Sequence, residues 1–250
     1  MSEVGRQERD RELGENLARV HRRIDAAVEQ SGRSDRPQLI VVTKFFPAED
    51  VIALTRLGVT DVGENREQEA GPKAEAAAEA GEHPRWHFIG QLQSNKAARV
   101  ARFASAVHSV DRTSLVSALG RATRRLAEEG QPRTDPLECY LQVDLRSEAD
   151  RAADPGRGGA APAELPALAD AVAQQEGLAL RGVMAVAPLG EDPAAAFGRL
   201  AELSAALRRD HPDAAEISAG MSGDLEAAVA AGATRLRIGS DVLGPRPGLG

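Results

Sequence analysis

The chain has 250 residues, of which 42% are hydrophobic and 3% aromatic, so it can bury a sizeable core built mostly from Ala, Leu and Val. A formal net charge of −7 and the absence of a dominant basic stripe argue against a partner held by neutralising nucleic-acid phosphates. The single cysteine, Cys139, excludes an internal disulfide and a cysteine-based metal cluster.

No apolar run approaches the roughly 18 residues that a membrane-spanning helix needs, and the charged N-terminus has no apolar core of a signal peptide. These features predict no membrane partner and a cytoplasmic location. No long apolar helix face stands out, which favours a monomer.

The chain starts with polar residues, and residues 1–10 are expected to be disordered. A helix is predicted over Gln7–Gln30, because apolar residues from Leu13 to Val28 recur at helical spacing and Ser31-Gly32 ends the pattern. Short β-branched runs then alternate with longer Ala-rich amphipathic stretches, which is typical of repeated βα units.

Eight strands are predicted: Gln38–Thr43, Thr60–Val62, Trp86–Ile89, Ala106–Ser109, Leu137–Val143, Ala179–Val186, Ala214–Ser218 and Arg235–Ile238. The intervening helices are predicted at Pro47–Leu57, Glu67–Glu79, Ser94–Phe103, Arg112–Glu128, Pro162–Gln175, Pro193–Arg209 and Gly223–Ala230. This order predicts an α/β fold, a single TIM-type (β/α)8 barrel with an extra N-terminal helix that spans residues 1–250 as one domain. A doubly wound open sheet is the alternative fold.

One stretch breaks this alternation. Residues 146–163 are rich in Asp, Gly, Pro and Ala, and they follow the fifth predicted strand, where a short βα loop is usual. We expect either a mobile lid over a site or a disordered loop.

Functional groups in a barrel gather at the carboxyl ends of the strands, and the unusual residues of this chain fall there. Lys44 directly follows the apolar run of the first strand and precedes Phe45-Phe46-Pro47. Burial beside apolar surface lowers the pKa of an amine, as a Schiff-base nucleophile requires. A surface lysine at a strand end is the alternative reading of Lys44.

Other strand ends also carry polar groups. Asn65 could contact a ligand or cap the following helix. His87 and His108 fall near the ends of the third and fourth strands, and a lone histidine there is more often a satisfied core residue than a catalytic one. Met184 is expected to lie in the core.

The last two strands supply what a phosphate needs. Ser218 to Asp224 form a small-residue turn that leads into a helix, so its N–H groups could hold an anion. Alternation places Arg235 and Arg237 on one face of the last strand, followed by Gly239 and Ser240. Together with a lysine at the end of the first strand, this predicts a phosphorylated carbonyl ligand held at both ends.

These residues resemble the pyridoxal phosphate homeostasis proteins, the YggS/PROSC family, which share the barrel of the alanine racemase N-terminal domain. The resemblance rests on segments matched in order along nearly the whole chain, of which the third and the last are long and specific. They are VVTKFFP at 41–47, GENREQE at 63–69, WHFIGQLQSNK at 86–96, HSVDR at 108–112, RGVMAVAP at 181–188 and ISAGMSGDLEAAVAAGATRLRIGSDVLGPRP at 217–247.

The resemblance implies pyridoxal 5′-phosphate (PLP) as the cofactor, held as a Schiff base on Lys44. It implies that Arg237 meets the pyridine nitrogen. The phosphate would be bound by Ser222, Gly239 and Ser240, and the pocket lined by Asn65, Ser218 and Met221. It further implies a role in PLP homeostasis and supply, with PLP-dependent apoenzymes as possible recipients.

The chain departs from the family pattern at four positions. Phe46 replaces a second lysine, Arg66 replaces an aromatic residue, Gln91 replaces a proline, and Arg157 stands where a lysine-containing glycine turn is usual. The change at Phe46 removes a cation from the neighbourhood of Lys44 and so could alter cofactor exchange.

The sequence favours a carrier over an enzyme. An arginine cannot accept a pyridinium proton, so Arg237 would leave the ring a weak electron sink. An amino-acid racemase, the first alternative, needs a second base opposite Lys44, for which His87 and His108 are candidates. A Schiff-base aldolase acting on a sugar phosphate is the second alternative.

Overall fold

The computed structural model describes residues 3–154 and 156–246. Eight parallel strands close into a barrel in the order in which they occur along the chain. The predicted barrel is confirmed, and the alternative of an open sheet is wrong, because β8 pairs with β1 along Gln38–Val41. The strands are β1 Gln38–Val42, β2 Asp61–Glu64, β3 Arg85–Phe88, β4 Ala106–Val110, β5 Leu137–Gln142, β6 Leu178–Met184, β7 Glu216–Ser218 and β8 Arg235–Ile238.

Helices follow each strand and surround the barrel. They are α1 Glu3–Gln30, α2 Ala48–Arg56, α3 Glu67–Glu79, α4 Ala97–Phe103, α5 Thr113–Glu128, α6 Glu148–Ala153, α7 Leu165–Ala173, α8 Pro193–Leu207, α9 Leu225–Ala230 and α10 Ser240–Leu243, with 3₁₀ turns at Ser94–Lys96 and Pro162–Glu164. Predicted and observed bounds differ mainly at the ends of elements, while α6 and α10 were not predicted.

The first helix is longer than the sequence suggests. We expected residues 1–10 to be disordered, but the described part, Glu3 to Asp10, is helical and continuous with the rest of α1. Arg9 explains this difference, because its guanidinium donates to the Asp50 carboxylate of α2 at 2.8 Å and to the Leu243 carbonyl at 3.0 Å. Met1 and Ser2 lie outside the described residues.

Residues 146–163 form more structure than a loop. Helix α6 lies within them, and the side chain of Ser147 caps it by accepting from the N–H of Asp150 at 3.1 Å. Ala160 then forms a parallel β-bridge with Val143, which returns the chain to the end of β5. The expected lid or disordered loop therefore contains a capped helix, and Pro155 lies outside the described residues.

The core has two unequal parts. The main apolar core lies between the outer face of the barrel and the helices, where residues such as Val41, Leu141 and Leu236 are buried. A small separate cluster consists of Ala106, Tyr140 and Met184, so Met184 lies in the core as expected. Much of the remaining interior is polar. Within the described residues, no helix is both long and apolar enough to cross a bilayer.

Candidate functional site

A cavity of about 240 Å³ lies at the carboxyl end of the barrel, where β1, β7 and β8 end. Its walls combine apolar and polar groups, as ligand sites usually do. Six of the eight residues predicted for the site line it: Lys44, Met221, Ser222, Arg237, Gly239 and Ser240.

Larger clefts, up to about 860 Å³, lie outside the barrel mouth, for example between the ends of β5 and β6. The smaller cavity is the candidate site because Lys44 lines it together with five other predicted site residues.

Lys44 lies two positions after the end of β1, and its amine lines the cavity. It is half-buried, and burial lowers its pKa below the ordinary 10.5, with the charges of Arg246 and Arg237 acting in the same direction. The next residue, Phe45, has a positive φ of 73°, which is unusual for a bulky side chain. These surroundings make the Lys44 amine easier to deprotonate, and so more nucleophilic, than a fully solvated surface lysine.

The far wall of the cavity offers donors for an anion. The hydroxyl of Ser240 donates to that of Ser222 at 3.2 Å, so the turn after β7 meets the start of α10. The backbone N–H groups of Ser222 and Gly223 have no acceptor among the residues that the structure describes. Hydroxyl and backbone donors converging in this way suit a phosphate group.

Arg23 of α1 holds both of these segments in place. Its Nη1 atom donates to the Ser222 carbonyl at 2.7 Å and to the Asp241 carboxylate at 2.8 Å, and the guanidinium also pairs with Glu226. The extra N-terminal helix therefore supports the side of the cavity that carries Ser222 and Ser240. Sequence reasoning missed this role, because nothing local marks Arg23 among the many arginines of α1.

Arg237 projects from β8 into the barrel and is 4% exposed. Its Nη1 donates to the Ser218 hydroxyl at 2.6 Å and its Nη2 to the Ala185 carbonyl at 2.8 Å, both of which are neutral acceptors. Burial lowers its pKa to about 10, which still leaves the guanidinium charged at neutral pH. The cavity thus has a buried cation in the same lining as Ser222 and Ser240.

Two predicted site residues do not line the cavity. Ser218 lies beneath it, fully buried, and reaches it only through Arg237. Asn65 is not the cap of the following helix, because the cap position is taken by Arg66. The Oδ1 atom of Asn65 is buried without a hydrogen-bond partner in the described structure, which leaves an acceptor open.

Sequence reasoning noted the apolar run beside Lys44 but missed Ile89 and Arg246 at the cavity. Phe45, Phe46 and Ile89 line the cavity, and the guanidinium of Arg246 lies 4.8 Å from the centre of the Phe45 ring. The run Phe45-Phe46 next to Lys44 was a usable signal for the apolar wall. Arg246 gave none, because its approach to Phe45 depends on the closure of the barrel.

The chemistry of these groups fits a phosphorylated aldehyde that carries a ring acceptor. An amine of lowered pKa can attack the carbonyl, the donors of Ser222, Gly223 and Ser240 can hold the phosphate, and Arg237 can donate to a ring nitrogen. The residues present therefore fit PLP.

Comparison with known proteins agrees with this fit. Residues 16–247 match the family model described as the alanine racemase N-terminal domain. A pyridoxal phosphate homeostasis protein of Corynebacterium glutamicum is 41% identical over 226 residues, which cover 90% of this chain and 98% of the relative. A protein of the same name from Mycobacterium tuberculosis is 43% identical over 248 residues, covering 96% of this chain and 95% of the relative.

Solved structures also include a relative with PLP bound and proteins with the same barrel fold. PipY of Synechococcus elongatus, solved with PLP bound, is 31% identical and superposes with a TM-score of 0.76. The match covers 93% of this chain and 100% of PipY. An alanine racemase of Corynebacterium glutamicum is only 13% identical but has a TM-score of 0.64 over 96% of this chain and 62% of its own, a likeness of fold alone.

Proposed function

Because the chain belongs to the family of the pyridoxal phosphate homeostasis proteins, we propose that it holds PLP as a Schiff base on Lys44 and serves PLP homeostasis and cofactor supply. The observation that carries this proposal is that half-buried Lys44 lines the same cavity as Ser222 and Ser240, where burial also lowers the pKa of its amine. PipY, a relative with PLP bound, supports the same ligand for this cavity.

The small number of lysines sharpens the proposal. The chain has three, Lys44, Lys73 and Lys96. Lys73 pairs with Glu64 at 2.7 Å and Lys96 with Glu67 at 2.8 Å, so each of these amines is held by a carboxylate. In the described residues Lys44 has no such ion pair, and it is the lysine best placed to react.

We propose a carrier function without strong catalysis. PLP, when bound, supplies a ring that withdraws electrons most strongly if its nitrogen is protonated. Arg237 is charged and can only donate, so it favours the unprotonated nitrogen and a weak electron sink.

The positions of the side chains that could act as a second base also support a carrier function without strong catalysis. His87 and His108 are 1% and 0% exposed and do not line the cavity. Tyr140 donates to Glu216 at 2.6 Å and is fully buried. None of these groups can reach a substrate at Lys44 without a rearrangement of the barrel interior, which argues against the racemase alternative.

The test is to add PLP to the purified protein, record the visible spectrum, reduce with borohydride and map the modified peptide by mass spectrometry. We expect a yellow species and a single adduct on Lys44. Lys44→Ala should abolish both, whereas Lys96→Ala, as the matched control, should leave both unchanged.

The other outcomes are informative. No visible band and no adduct would overturn the proposal, and trapping of a sugar phosphate by borohydride in the colourless protein would favour the aldolase alternative. An adduct on Lys44 together with turnover of alanine would support the racemase. Delivery to recipients is tested by reactivation of a PLP-dependent apoenzyme, which should proceed faster than PLP dissociates into buffer.

A further inference from the structure

A continuous line of buried polar side chains crosses the barrel interior from β2 to β8. The Asp61 carboxylate meets Nε2 of His87 at 2.7 Å, and Nδ1 of His87 meets Nε2 of His108 at 2.9 Å. Nδ1 of His108 meets the Ser218 hydroxyl at 2.9 Å, which meets Nη1 of Arg237 at 2.6 Å. The five side chains, called the interior chain below, are at most 4% exposed.

The carboxylate end of the interior chain fixes the direction of every hydrogen bond between neutral rings within it, and the Arg237 end is consistent with that direction. A guanidinium can only donate, so Arg237 donates to the Ser218 hydroxyl, which is then free to donate to His108. A carboxylate can only accept, so His87 donates to Asp61 from Nε2. Neutral imidazoles have one donor and one acceptor, so the Asp61 end requires the proton on Nε2 of His87 and of His108, and the Arg237 end is compatible with the same tautomer.

This assignment needs neutral rings of His87 and His108 and an ionised Asp61, and the groups around these side chains favour those protonation states. Burial lowers the pKa of His87 and of His108, so both rings are neutral at physiological pH. Burial opposes the charge of Asp61, but its hydrogen bonds from His87 and Thr60 outweigh that effect and lower its pKa. Arg85 and Arg235 lie 3.6 Å and 3.9 Å from its carboxylate and also favour the ionised form.

We propose that Asp61, His87 and His108 are positioning residues for the ligand of the cavity, acting through Ser218 on Arg237. A chain of aligned donors that ends on a carboxylate strengthens each of its members, because every hydrogen bond polarises the next. In the described structure both hydrogen-bond acceptors of Arg237, the Ser218 hydroxyl and the Ala185 carbonyl, are neutral. The charge of Asp224 acts on Arg237 without a hydrogen bond, whereas the interior chain joins Arg237 to a carboxylate through aligned hydrogen bonds. The orientation of Arg237 in turn sets how well it donates to a ring nitrogen. This inference rests on the proposed binding of PLP.

The first test does not depend on any ligand. Nitrogen-15 NMR of the histidine side chains, at neutral pH and without added PLP, should show His87 and His108 protonated at Nε2 and bare at Nδ1. His83 and His211, which lie outside the interior chain, serve as references. A proton on Nδ1 of either ring, or an imidazolium, would overturn the assigned direction.

The second test measures the effect on bound PLP. Asp61→Asn keeps the shape of the side chain but removes its charge, and Ser218→Ala removes the link to Arg237. We expect each to raise the Kd for PLP about tenfold, since a hydrogen bond to a charged group is weakened, and to shift the visible absorption maximum. Ser218→Thr, which retains the hydroxyl, should restore both values.

Tyr140→Phe is the matched control, because Tyr140 stacks on His108 at 4.1 Å but its hydroxyl bonds to Glu216 outside the interior chain. It should change the Kd for PLP by less than about twofold, as a lost contact outside the chain leaves Arg237 unaltered. Thermal unfolding of each variant identifies any that fails to fold. If Asp61→Asn fails to fold, the comparison of Ser218→Ala with Ser218→Thr, in Kd for PLP and in absorption maximum, decides whether the positioning role holds.

Two results would contradict the inference in different ways. If the native protein forms the Lys44 adduct but the variants match the control in Kd and spectrum, Asp61 and the histidines do not position Arg237. If the native protein forms no adduct, the proposed function is wrong and so is the positioning role. The histidine tautomers still test the direction of the hydrogen bonds in the interior chain.

Discussion

Lys44 lies between opposing electrostatic influences at the mouth of the barrel. Burial, Arg246 and Arg237 lower the pKa of its amine, and Glu64 raises it. The lowering influences dominate, so a larger fraction of the amine is unprotonated at a given pH than for a solvated lysine. Phe46, where the family usually has a second lysine, adds apolar surface on this side; it is 8% exposed and packs near Arg9 instead of adding a charge.

The reactivity of Lys44 should reflect this environment. Competitive acetylation across pH, followed by mass spectrometry, should give a midpoint for Lys44 below 10.5, because the reactive form appears at lower pH when the pKa is lowered. Arg246→Ala should move that midpoint upward, since a repelling cation is removed. A midpoint at or above 10.5, or one unaffected by this substitution, would contradict the electrostatic account; Lys96 is the internal reference.

At the scale of elements, α3 is attached to the barrel by a buried ion pair. Nζ of Lys73 contacts the Glu64 carboxylate of β2 at 2.7 Å and donates to the Thr43 carbonyl at 3.1 Å. The Thr43 hydroxyl also donates to Glu64, which is 0% exposed. Burial raises the pKa of Glu64, and the Lys73 amine opposes that rise. This pair links the helix to the end of β1, from which Lys44 projects.

Breaking this pair should be costly. Lys73→Ala leaves an uncompensated buried carboxylate, so the free energy of unfolding should fall by about 3–5 kcal/mol in urea titrations. Without Lys73 the pKa of Glu64 rises further above its ordinary 4.5, the folded state binds more protons than the unfolded state, and the loss of stability grows as the pH rises.

Lys96→Ala is the comparison, because its ion pair with Glu67 is partly exposed, with 27% of the lysine side chain accessible. Such a pair contributes about 0–1 kcal/mol. Equal losses for the two variants, or a loss for Lys73→Ala that shrinks as the pH rises, would contradict the role assigned to the buried pair.

At the scale of the whole molecule, α1 completes the ring of helices. It packs against α9, α10 and α2 and so covers the outer face of the barrel where β8 meets β1. Its buried residues Leu13, Leu17, Val20, Ile24 and Ala27 form one stripe at helical spacing. The helix is therefore part of the main core and, through Arg23, part of the support for the site.

We expect the protein to be a monomer, because its described surface offers no broad apolar patch. The described residues include six large hydrophobic side chains that are well exposed, Val4, Phe45, Leu57, Val186, Leu189 and Met221. A stable interface buries roughly 800 Å² per partner around an apolar centre, and single exposed side chains spread over several elements do not provide one. Sedimentation equilibrium should give a mass near 26.4 kDa at micromolar concentration, and twice that mass would contradict the expectation.

The sequence by itself determined the order and kind of most elements. Period-two and period-3.6 patterns reflect local geometry, so eight strands, the helices between them and the burial of Leu236 and Ile238 opposite Arg235 and Arg237 could be predicted. The motifs around Lys44, Ser222 and Ser240 also placed most of the cavity, because parallel strands bring their carboxyl ends together. Helix α6 was missed, since its six residues carry no apolar stripe.

Only the tertiary structure decided how distant residues meet. The contact of Arg246 with Phe45, the support from Arg23 and the interior chain from Asp61 to Arg237 join residues up to about 200 positions apart. Such contacts depend on the closure and register of the barrel, which local patterns do not encode. Each strand shows which face its side chains take, but the neighbour that satisfies a buried histidine is fixed only when all eight strands are in place.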